Sequence, residues 1–370
     1  SQHYNTILKM LDGIGVKVSL LTGSSKRSLR KEIDESLRDS SLQILIGTHA
    51  LIEENVVFNN LGLVIIDEQH RFGVAQRARL WEKSTHPPHI LVMTATPIPR
   101  TLAMTLYGDL DVSVIDELPP GRIPVKTMHF YDSERNKVFG FMRKKIDEGR
   151  QIFVVYPLIR ESEKMDYQNL EDGWDTISRV FPAPKYCISI VHGKMTPDEK
   201  ESSMRLFKEG HANILVATTV IEVGVDIPNA SVMVIESAER FGLSQLHQLR
   251  GRVGRGSDQS YCLLMTSNKL SKEAIARIRV MVRTSDGFEI AETDLHLRGP
   301  GDIEGTLQSG IPFDLKIASL GRDGQIIEHV RNIAEGILAK DPLLEHEENY
   351  VLKSELGRLF SIKQSWSNIS

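Results

Sequence analysis

The sequence has little cysteine and no long apolar run. Its two cysteines, Cys187 and Cys262, form no CxxC pair and show no metal-ligand spacing. This usage is typical of the reducing cytosol and argues against a disulfide scaffold or a zinc site. No apolar segment approaches the roughly 20 residues that a membrane-spanning helix needs, and the amino terminus has no signal-peptide pattern. We therefore expect a cytoplasmic protein without a membrane partner.

The sequence also lacks an excess of basic residues. A net charge of −4 excludes a strongly basic surface, so any nucleic-acid contact must be a local patch. With 370 residues the chain is too long for one ordinary core, which predicts two domains and an extension. It begins without Met inside a predicted helix, Gln2–Leu11, and we expect it to be part of a longer protein.

Short β-branched runs alternate with longer amphipathic segments on both sides of a proline-rich linker, Glu117–Pro124. The pattern predicts two α/β domains with parallel sheets, residues 1–118 and 119–283, and an extension, 284–370, with a Gly-rich loop, one helix and a polar tail. The predicted strands are Val16–Leu21, Gln43–Ile46, Leu63–Ile66, Ile90–Met93, Val112–Ile115, Ile152–Tyr156, Cys187–Val191, Ile214–Ala217, Val232–Ile235 and Tyr261–Leu264. The predicted helices are Lys26–Arg38, Val74–Lys83, Glu134–Glu148, Pro197–Glu209, Leu243–Leu249 continuing towards Arg255, a helix from Lys272, and Gln325–Leu338.

Two adjacent acids, Asp67 and Glu68, follow the apolar run Leu61–Ile66. Such a run is typical of a strand buried in a parallel sheet, and ligands of open α/β sheets bind at the carboxyl ends of the strands. In a nucleotide-hydrolysing enzyme the first acid would hold Mg²⁺ and the second would orient or activate water. A strand that runs into an ordinary polar loop explains the same letters about equally well.

A second constellation lies in Gln248–Arg255. If this segment is helical, Gln248, Arg252 and Arg255 fall on one face, a pattern that suits phosphate binding. The alternative is a solvated basic helix, which the glycines at 251 and 254 make less favourable. Because the arginines and the acids belong to different domains, a site that uses both must span the interdomain cleft.

These motifs resemble those of superfamily 2 helicases. Asp67-Glu68-Gln69-His70 resembles motif II, Thr94-Ala95-Thr96 motif III, Ala217–Pro228 motif V and Gln248–Arg255 motif VI, in the family's order. The longer strings Asp67–Val74 and Arg298–Gly310 are similar to those of the RecG family of branch-migrating helicases. The Mfd family of double-strand translocases is the alternative, and it resembles Gly301–Gly310 less well.

The resemblance implies a role for each matching residue in the first domain. Asp67 would bind Mg²⁺ and Glu68 would be the catalytic base. Gln69 and His70 would report the nucleotide state to the residues that face DNA. Thr94 and Thr96 would couple hydrolysis to domain movement, although a strand cap with satisfied hydroxyls is a comparable explanation for Thr94.

In the second domain, Gly224 would permit close approach and Asp226 would face the nucleotide ribose, unless Asp226 is a simple turn acid before proline. Gln248 would belong to the catalytic site, and Arg252 and Arg255 would stabilise charge on the γ-phosphoryl group.

The resemblance also implies residues for DNA and for coupling. DNA would be held mainly through its phosphates by Thr48, His49, Arg100 and Thr218. In the Gly-rich stretch, Arg298 would bond to neighbouring elements and Gln308 would lie near the duplex or motif VI. A loop that only caps the second sheet is the alternative for this stretch.

The pattern GxxxxGK followed by Ser or Thr is absent from the sequence. In the family this phosphate-binding loop would precede Ser1, as would a wedge domain, so we expect the chain alone to be inactive. The resemblance implies two RecA-like domains, ATP and Mg²⁺ as cofactors, and a monomeric bacterial helicase that acts on forks and Holliday junctions. The alternatives are an Mfd-like translocase and a non-catalytic nucleic-acid-binding module.

Overall fold

The computed structural model describes residues 2–68, 83, 88–94, 111, 113–115, 117, 119–157, 173–218, 227–254, 256, 258–298 and 324–367. The first part of the chain forms two small parallel sheets. Strand β1 (Val18–Leu21) pairs with β2 (Ile44–Gly47), and β3 (Leu63–Ile66) pairs with β4 (His89–Val92). Among the described residues, helices α1 (Gln2–Met10) and α2 (Arg27–Arg38) also belong to this part.

Helix α2 packs its apolar side against the first sheet. Ile33 and Leu37 are buried together with Leu21 and Val56, while the charged side of the helix faces solvent. These four predicted strands and both helices are confirmed to within about two residues at each end.

The second part of the chain forms a six-stranded, fully parallel sheet in the order β5-β10-β9-β6-β8-β7. Its strands are β5 (Lys126–Tyr131), β6 (Gln151–Tyr156), β7 (Ile188–Val191), β8 (Ile214–Thr218), β9 (Ala230–Ile235) and β10 (Tyr261–Thr266). The central strands are buried on both faces, as their continuous apolar sequences predict.

Helices cover both faces of this sheet. They are α3 (Arg135–Asp147), α4 (Pro197–Lys208), α5 (Leu243–Arg250) and α6 (Lys272–Arg283), and residues 173–180 are helical as well. Helix α4 begins as its sequence predicts. The Thr196 hydroxyl accepts the Glu199 backbone N–H, the Glu199 carboxylate accepts the Thr196 N–H in return, and Pro197 occupies the first turn.

One prediction about the sheets is wrong, and one strand was missed. Residues 113–115 of the predicted strand Val112–Ile115 form no strand, and the Ile115 side chain is 93% exposed. Strand β5 was missed because Lys126, Thr127 and His129 interrupt the continuous apolar run that marks a buried strand, and it lies at the edge of its sheet. The predicted helix Val74–Lys83 lies outside the described residues except for Lys83.

The extension is more helical than we predict. Instead of a loop, residues after Asp286 form helix α7 (Gly287–Arg298), because the Asp286 carboxylate accepts the Phe288 N–H at 2.8 Å and caps the first turn. Helix α8 (Gly324–Lys340) confirms the predicted helix, and the predicted polar tail contains helix α9 (Tyr350–Ser367). No helix in the described ranges is long and apolar enough to span a bilayer.

Candidate active site

Asp67 and Glu68 lie directly after β3, at the carboxyl end of a parallel strand. The Asp67 side chain is 45% exposed, and its two oxygens have different partners. Oδ1 accepts the Glu68 backbone N–H at 2.9 Å, and Oδ2 lies 3.1 Å from Nε2 of His3 in α1. The predicted acid pair is therefore at the edge of the sheet where ligands of α/β proteins bind.

The backbone of Glu68 is in the left-handed region, with a φ of 51°. For a residue with a side chain this conformation costs about 1–2 kcal/mol, and strain of this kind concentrates at functional sites. The turn leaves the Glu68 side chain half-buried beside the exposed Asp67. The two acids thus have different environments, which is what a separation of roles between them requires.

Thr94 lies at the same edge. Strands β3 and β4 pair in register from Leu63 with His89 to Ile66 with Val92, and the Met93 N–H donates to the Ile66 carbonyl at 2.8 Å. Glu68 and Thr94, each two residues beyond its strand, therefore lie at the same end of this sheet. The structure brings together the described members of motifs II and III.

Thr48 and His49 follow β2 at the corresponding edge of the other small sheet, where the Thr48 N–H donates to the Leu21 carbonyl at 3.4 Å. Parallel pairing places the loop after β1 beside them. Its hydroxyls are linked, since Thr22 Oγ1 lies 3.1 Å from Ser24 Oγ and 3.3 Å from Ser25 Oγ, and the Thr22 N–H donates to Ser25 Oγ at 2.9 Å. Sequence reasoning missed this loop, although Thr22-Gly23-Ser24-Ser25 after a strand is a recognisable polar turn.

The predicted helical face of motif VI does not exist. Helix α5 ends at Arg250, Gly251 caps it, and Gly254 is left-handed with a φ of 82°. Gln248 is on the helix, whereas Arg252 is half-buried in the turn that follows it. The two residues therefore do not share a helical face, because the glycines terminate the helix instead of lying within it.

Three side chains lie where strands of the six-stranded sheet end. Glu236 follows β9 with a side chain that is 5% exposed, and it accepts two hydrogen bonds from Arg135, at 2.6 and 2.8 Å. Tyr156 ends β6, and burial raises its pKa above the ordinary value. Thr218 ends β8 and is 3% exposed, so the predicted direct DNA contact does not match this conformation. The ion pair was missed because its partners lie 101 residues apart.

Several predicted site residues lie outside the described residues: Gln69, His70, Thr96, Arg100, Gly224, Asp226, Arg255 and Gln308. Arg298 is the last residue of α7. The predicted roles of these residues stay predictions.

The Asp67 carboxylate has the position and exposure expected of a magnesium ligand. Mg²⁺ is usually bound by one or two carboxylates together with water and nucleotide phosphates, and a half-exposed carboxylate at a strand end meets that description. In the described part of the chain, no three His, Cys, Asp or Glu side chains lie close enough to hold a metal ion by themselves.

Three family descriptions match successive parts of the chain. Residues 1–105 match the DEAD/DEAH box helicase family, and residues 135–257 match the helicase conserved C-terminal domain. Residues 284–370 match the description ATP-dependent DNA helicase RecG, domain 3, C-terminal.

Curated proteins described as ATP-dependent DNA helicase RecG are similar along nearly the whole chain. The protein of a Synechocystis strain is 52% identical over 353 residues, 95% of this chain and 42% of the relative. Those of Aquifex aeolicus and Bacillus subtilis are 47% and 48% identical, over 100% and 96% of this chain and 47% and 52% of the relatives. The chain thus spans about half the length of the curated relatives it matches.

Solved structures agree with the fold. A structure described as RecG bound to a three-way DNA junction is 44% identical, with a TM-score of 0.66, over 88% of this chain and 42% of that one. The helicase MrfA bound to DNA, 18% identical with a TM-score of 0.55 over 77% of this chain and 43% of that one, supports the fold alone. The predicted fold class, two RecA-like α/β parts and a helical extension, is confirmed.

Proposed function

The chain belongs to the RecG family of ATP-dependent DNA helicases, and we propose from this that it is the motor part of an enzyme that uses ATP to remodel branched DNA. The observation that carries the proposal is the acid pair, Asp67 and Glu68, which lies with Thr94 at the carboxyl edge of two paired parallel strands. The match of residues 284–370 to a RecG domain favours this function over that of an Mfd-like translocase.

In the proposed reaction, Glu68 orients the attacking water and accepts its proton. Asp67 would hold Mg²⁺, which, when bound, neutralises charge on the β- and γ-phosphates. Arg252 and Arg255 would donate hydrogen bonds to the γ-phosphoryl oxygens as negative charge moves between them. Gly224 and Asp226 would line the ribose, and Gln248 would complete the same site from the second domain.

We propose that Gln69, His70, Thr94 and Thr96 couple hydrolysis to movement of the two domains, and that Arg298 and Gln308 pass this movement to DNA. Thr48, His49 and Arg100 would hold the DNA backbone through phosphates, so sequence preference should be slight and salt dependence strong. The substrate class would be forks and Holliday junctions, on which a monomer would act. This extends to the chain what is seen in one similar structure, in which RecG is bound to a three-way DNA junction.

The test uses the full-length protein that contains this chain. We expect ATP hydrolysis that is stimulated by a three-way junction, and Glu68→Gln should lower its rate by about 10²–10⁴-fold while ATP and junction binding persist. A wild-type protein that binds junctions without hydrolysing ATP would instead be the non-catalytic module. Equal stimulation by plain duplex and by junctions would favour a double-strand translocase.

A further inference from the structure

Arg250, the last residue of α5, is 4% exposed and reaches across to the end of the neighbouring helix α6. Its Nη1 donates to the backbone carbonyls of Met281, at 3.1 Å, and Thr284, at 2.7 Å. Its Nη2 also approaches the Ser285 carbonyl, at 3.4 Å. One guanidinium therefore binds the last turn of α6 and the connection to α7 at several points.

The remaining contacts of this guanidinium are also uncharged. Nη2 donates to Nδ1 of His247, one turn earlier in α5, at 2.9 Å, and Nη1 lies 3.5 Å from the Thr127 hydroxyl in β5. Burial, with a smaller contribution from the Arg250 charge, lowers the pKa of His247 to about 4. The imidazole is thus neutral near pH 7, and its Nδ1 accepts a hydrogen bond.

Burying the Arg250 charge among uncharged partners costs desolvation free energy that an apolar side chain would not incur. An apolar side chain of similar volume is often neutral or stabilising at such a position. The carbonyls that Arg250 binds belong to the negative end of the α6 dipole, which offsets part of the cost of burying the charge. The planar guanidinium fork fixes direction as well as distance, which a flexible ammonium cannot do.

The position of Arg250 in the chain indicates a role for the hydrogen bonds that join α5 to the α6–α7 connection. It lies two residues before Arg252, the predicted arginine of the nucleotide site, and α7 leads from the fastened connection to Arg298, the predicted coupling residue of the Gly-rich stretch. Apolar packing alone would let these helices slide, whereas directed hydrogen bonds hold α5 and the α6–α7 connection in one arrangement.

We infer that Arg250 is a positioning residue that fastens motif VI to the α6–α7 hairpin, so that displacement of Arg252 during the nucleotide cycle moves the hairpin with it. The inference rests on the proposed function and adds to it the residue, Arg250, that would hold these elements together.

The test compares Arg250→Met and Arg250→Lys in the full-length protein. Met keeps the length and the apolar stem without the fork, and Lys keeps the charge. The matched control is Arg283→Met, which removes an arginine from the same hairpin, where it forms an exposed ion pair with Glu289. The measurements are junction-stimulated ATP hydrolysis, base pairs unwound per ATP consumed, and the thermal midpoint.

For Arg250→Met we expect hydrolysis within about threefold of wild type and at least a tenfold loss of base pairs unwound per ATP, since small misplacements of this kind are costly. Arg250→Lys should recover part of that ratio, and Arg283→Met should leave it unchanged. An unchanged ratio in Arg250→Met would overturn the inference. A parallel fall of hydrolysis, unwinding and thermal midpoint in both Arg250 variants would also overturn it, because the residue would then be only structural.

A second readout needs neither ATP nor DNA. In Arg250→Met, backbone amides at 281–289 should exchange hydrogen at least tenfold faster, while β6, β8 and β9 stay protected and Arg283→Met stays like wild type. Unchanged exchange at 281–289 would show that Arg250 fastens nothing. If the wild-type protein lacks junction-stimulated hydrolysis, the proposed function fails and the coupling role fails with it. If the wild-type protein is active and Arg250→Met unwinds as many base pairs per ATP as wild type, only the inference about Arg250 fails.

Discussion

Arg135, at the beginning of α3, binds both carboxylate oxygens of Glu236, at the end of β9, and so ties a helix to the carboxyl edge of the six-stranded sheet. The Glu236 side chain is 5% exposed and that of Arg135 is 30% exposed. A charge this deep in the protein is tolerated only with its partner in place.

We therefore expect Arg135→Met to lower the free energy of unfolding by about 3–5 kcal/mol, because it leaves a buried carboxylate without its cation. The double variant Arg135→Met/Glu236→Gln should lose clearly less than the single one. Lys137→Met, which removes an exposed ion pair with Glu134 from the same helix, should change it by about 0–1 kcal/mol. Urea-induced unfolding measures all three, and equal losses in the single and double variants would refute the argument.

The two glycines of motif VI should respond differently to alanine. Gly254 has a φ of 82°, and an added Cβ would lie 2.7 Å from Cγ2 of Val125. Gly251 has a helical backbone, and its added Cβ would be no closer than 3.4 Å to the Gln248 carbonyl.

Gly254→Ala should thus cost about 1–2 kcal/mol for the left-handed backbone alone, plus the contact with Val125. Gly251→Ala should change stability by less than about 1 kcal/mol and is expected to be neutral or stabilising. Thermal unfolding of both variants checks the order, and a larger loss in Gly251→Ala would contradict it.

Arg252→Ala in the full-length protein should lower junction-stimulated ATP hydrolysis by about 10³-fold or more. An arginine that stabilises charge on the γ-phosphoryl group acts mainly in the transition state. Junction binding and the thermal midpoint should stay near those of wild type. Arg252→Lys, which keeps the charge without the planar fork, should recover little activity. Loss of the folded second sheet in Arg252→Ala would show that this half-buried arginine is structural.

The 370-residue chain itself should hydrolyse ATP at no more than the background rate. Its sequence has no GxxxxGK followed by Ser or Thr, and without that loop Asp67 and the arginines cannot position the β- and γ-phosphates. A junction-stimulated, Mg²⁺-dependent activity of the purified chain that disappears in Glu68→Gln would show the opposite.

The connection between α8 and α9 should weaken in acid. Asp341 accepts hydrogen bonds from the Asn349 side chain, at 2.8 Å, and from the backbone N–H groups of Glu345 and His346, each at 2.9 Å. These bonds, that of Asn349 above all, lower the pKa of Asp341 from its ordinary 3.8 to about 2.

Since this pKa is lower in the folded state, the contribution of Asp341 is complete above about pH 4 and is lost as the pH falls towards 2. Asp341→Asn should remove that part of the pH dependence and lower stability at neutral pH. Amide hydrogen exchange at 341–349 between pH 3 and pH 6 measures it, and identical pH profiles for wild type and variant would contradict the assignment.

Sequence patterns were sufficient where a single physical cause determines an element. The central strands of the second sheet are continuous apolar runs because both faces are covered, and α4 carries its capping box in the letters Thr196 to Glu199. The place of Asp67 and Glu68 at the end of β3 followed from the apolar run before them. The predicted burial of that run is wrong, however, because Leu63 and Ile65 are each 56% exposed.

Sequence patterns failed where the conformation depends on how a helix begins or ends, or on a contact between residues distant in sequence. The letters of motif VI continue a helical period past Gly251, yet Gly254 takes a left-handed backbone that packs against Val125, far away in sequence. Asp286-Gly287 signals a turn as well as a helix cap, and the cap is what forms. Arg250 looks like one more basic residue in a basic string, because its partners on α6 are 31 to 35 residues away.

The segment before β5 is tied to the motif VI turn. Arg122 Nε donates to the Gly254 carbonyl at 3.1 Å, and Gln259 Nε2 donates to the Pro124 carbonyl at 2.9 Å. These two hydrogen bonds attach the connector ahead of β5. A force transmitted along the connector therefore acts on these bonds before it acts on the strand. A pull from the first half of the chain would therefore load the turn around Gly254, two residues from Arg252, before it strained the first strand of the second sheet.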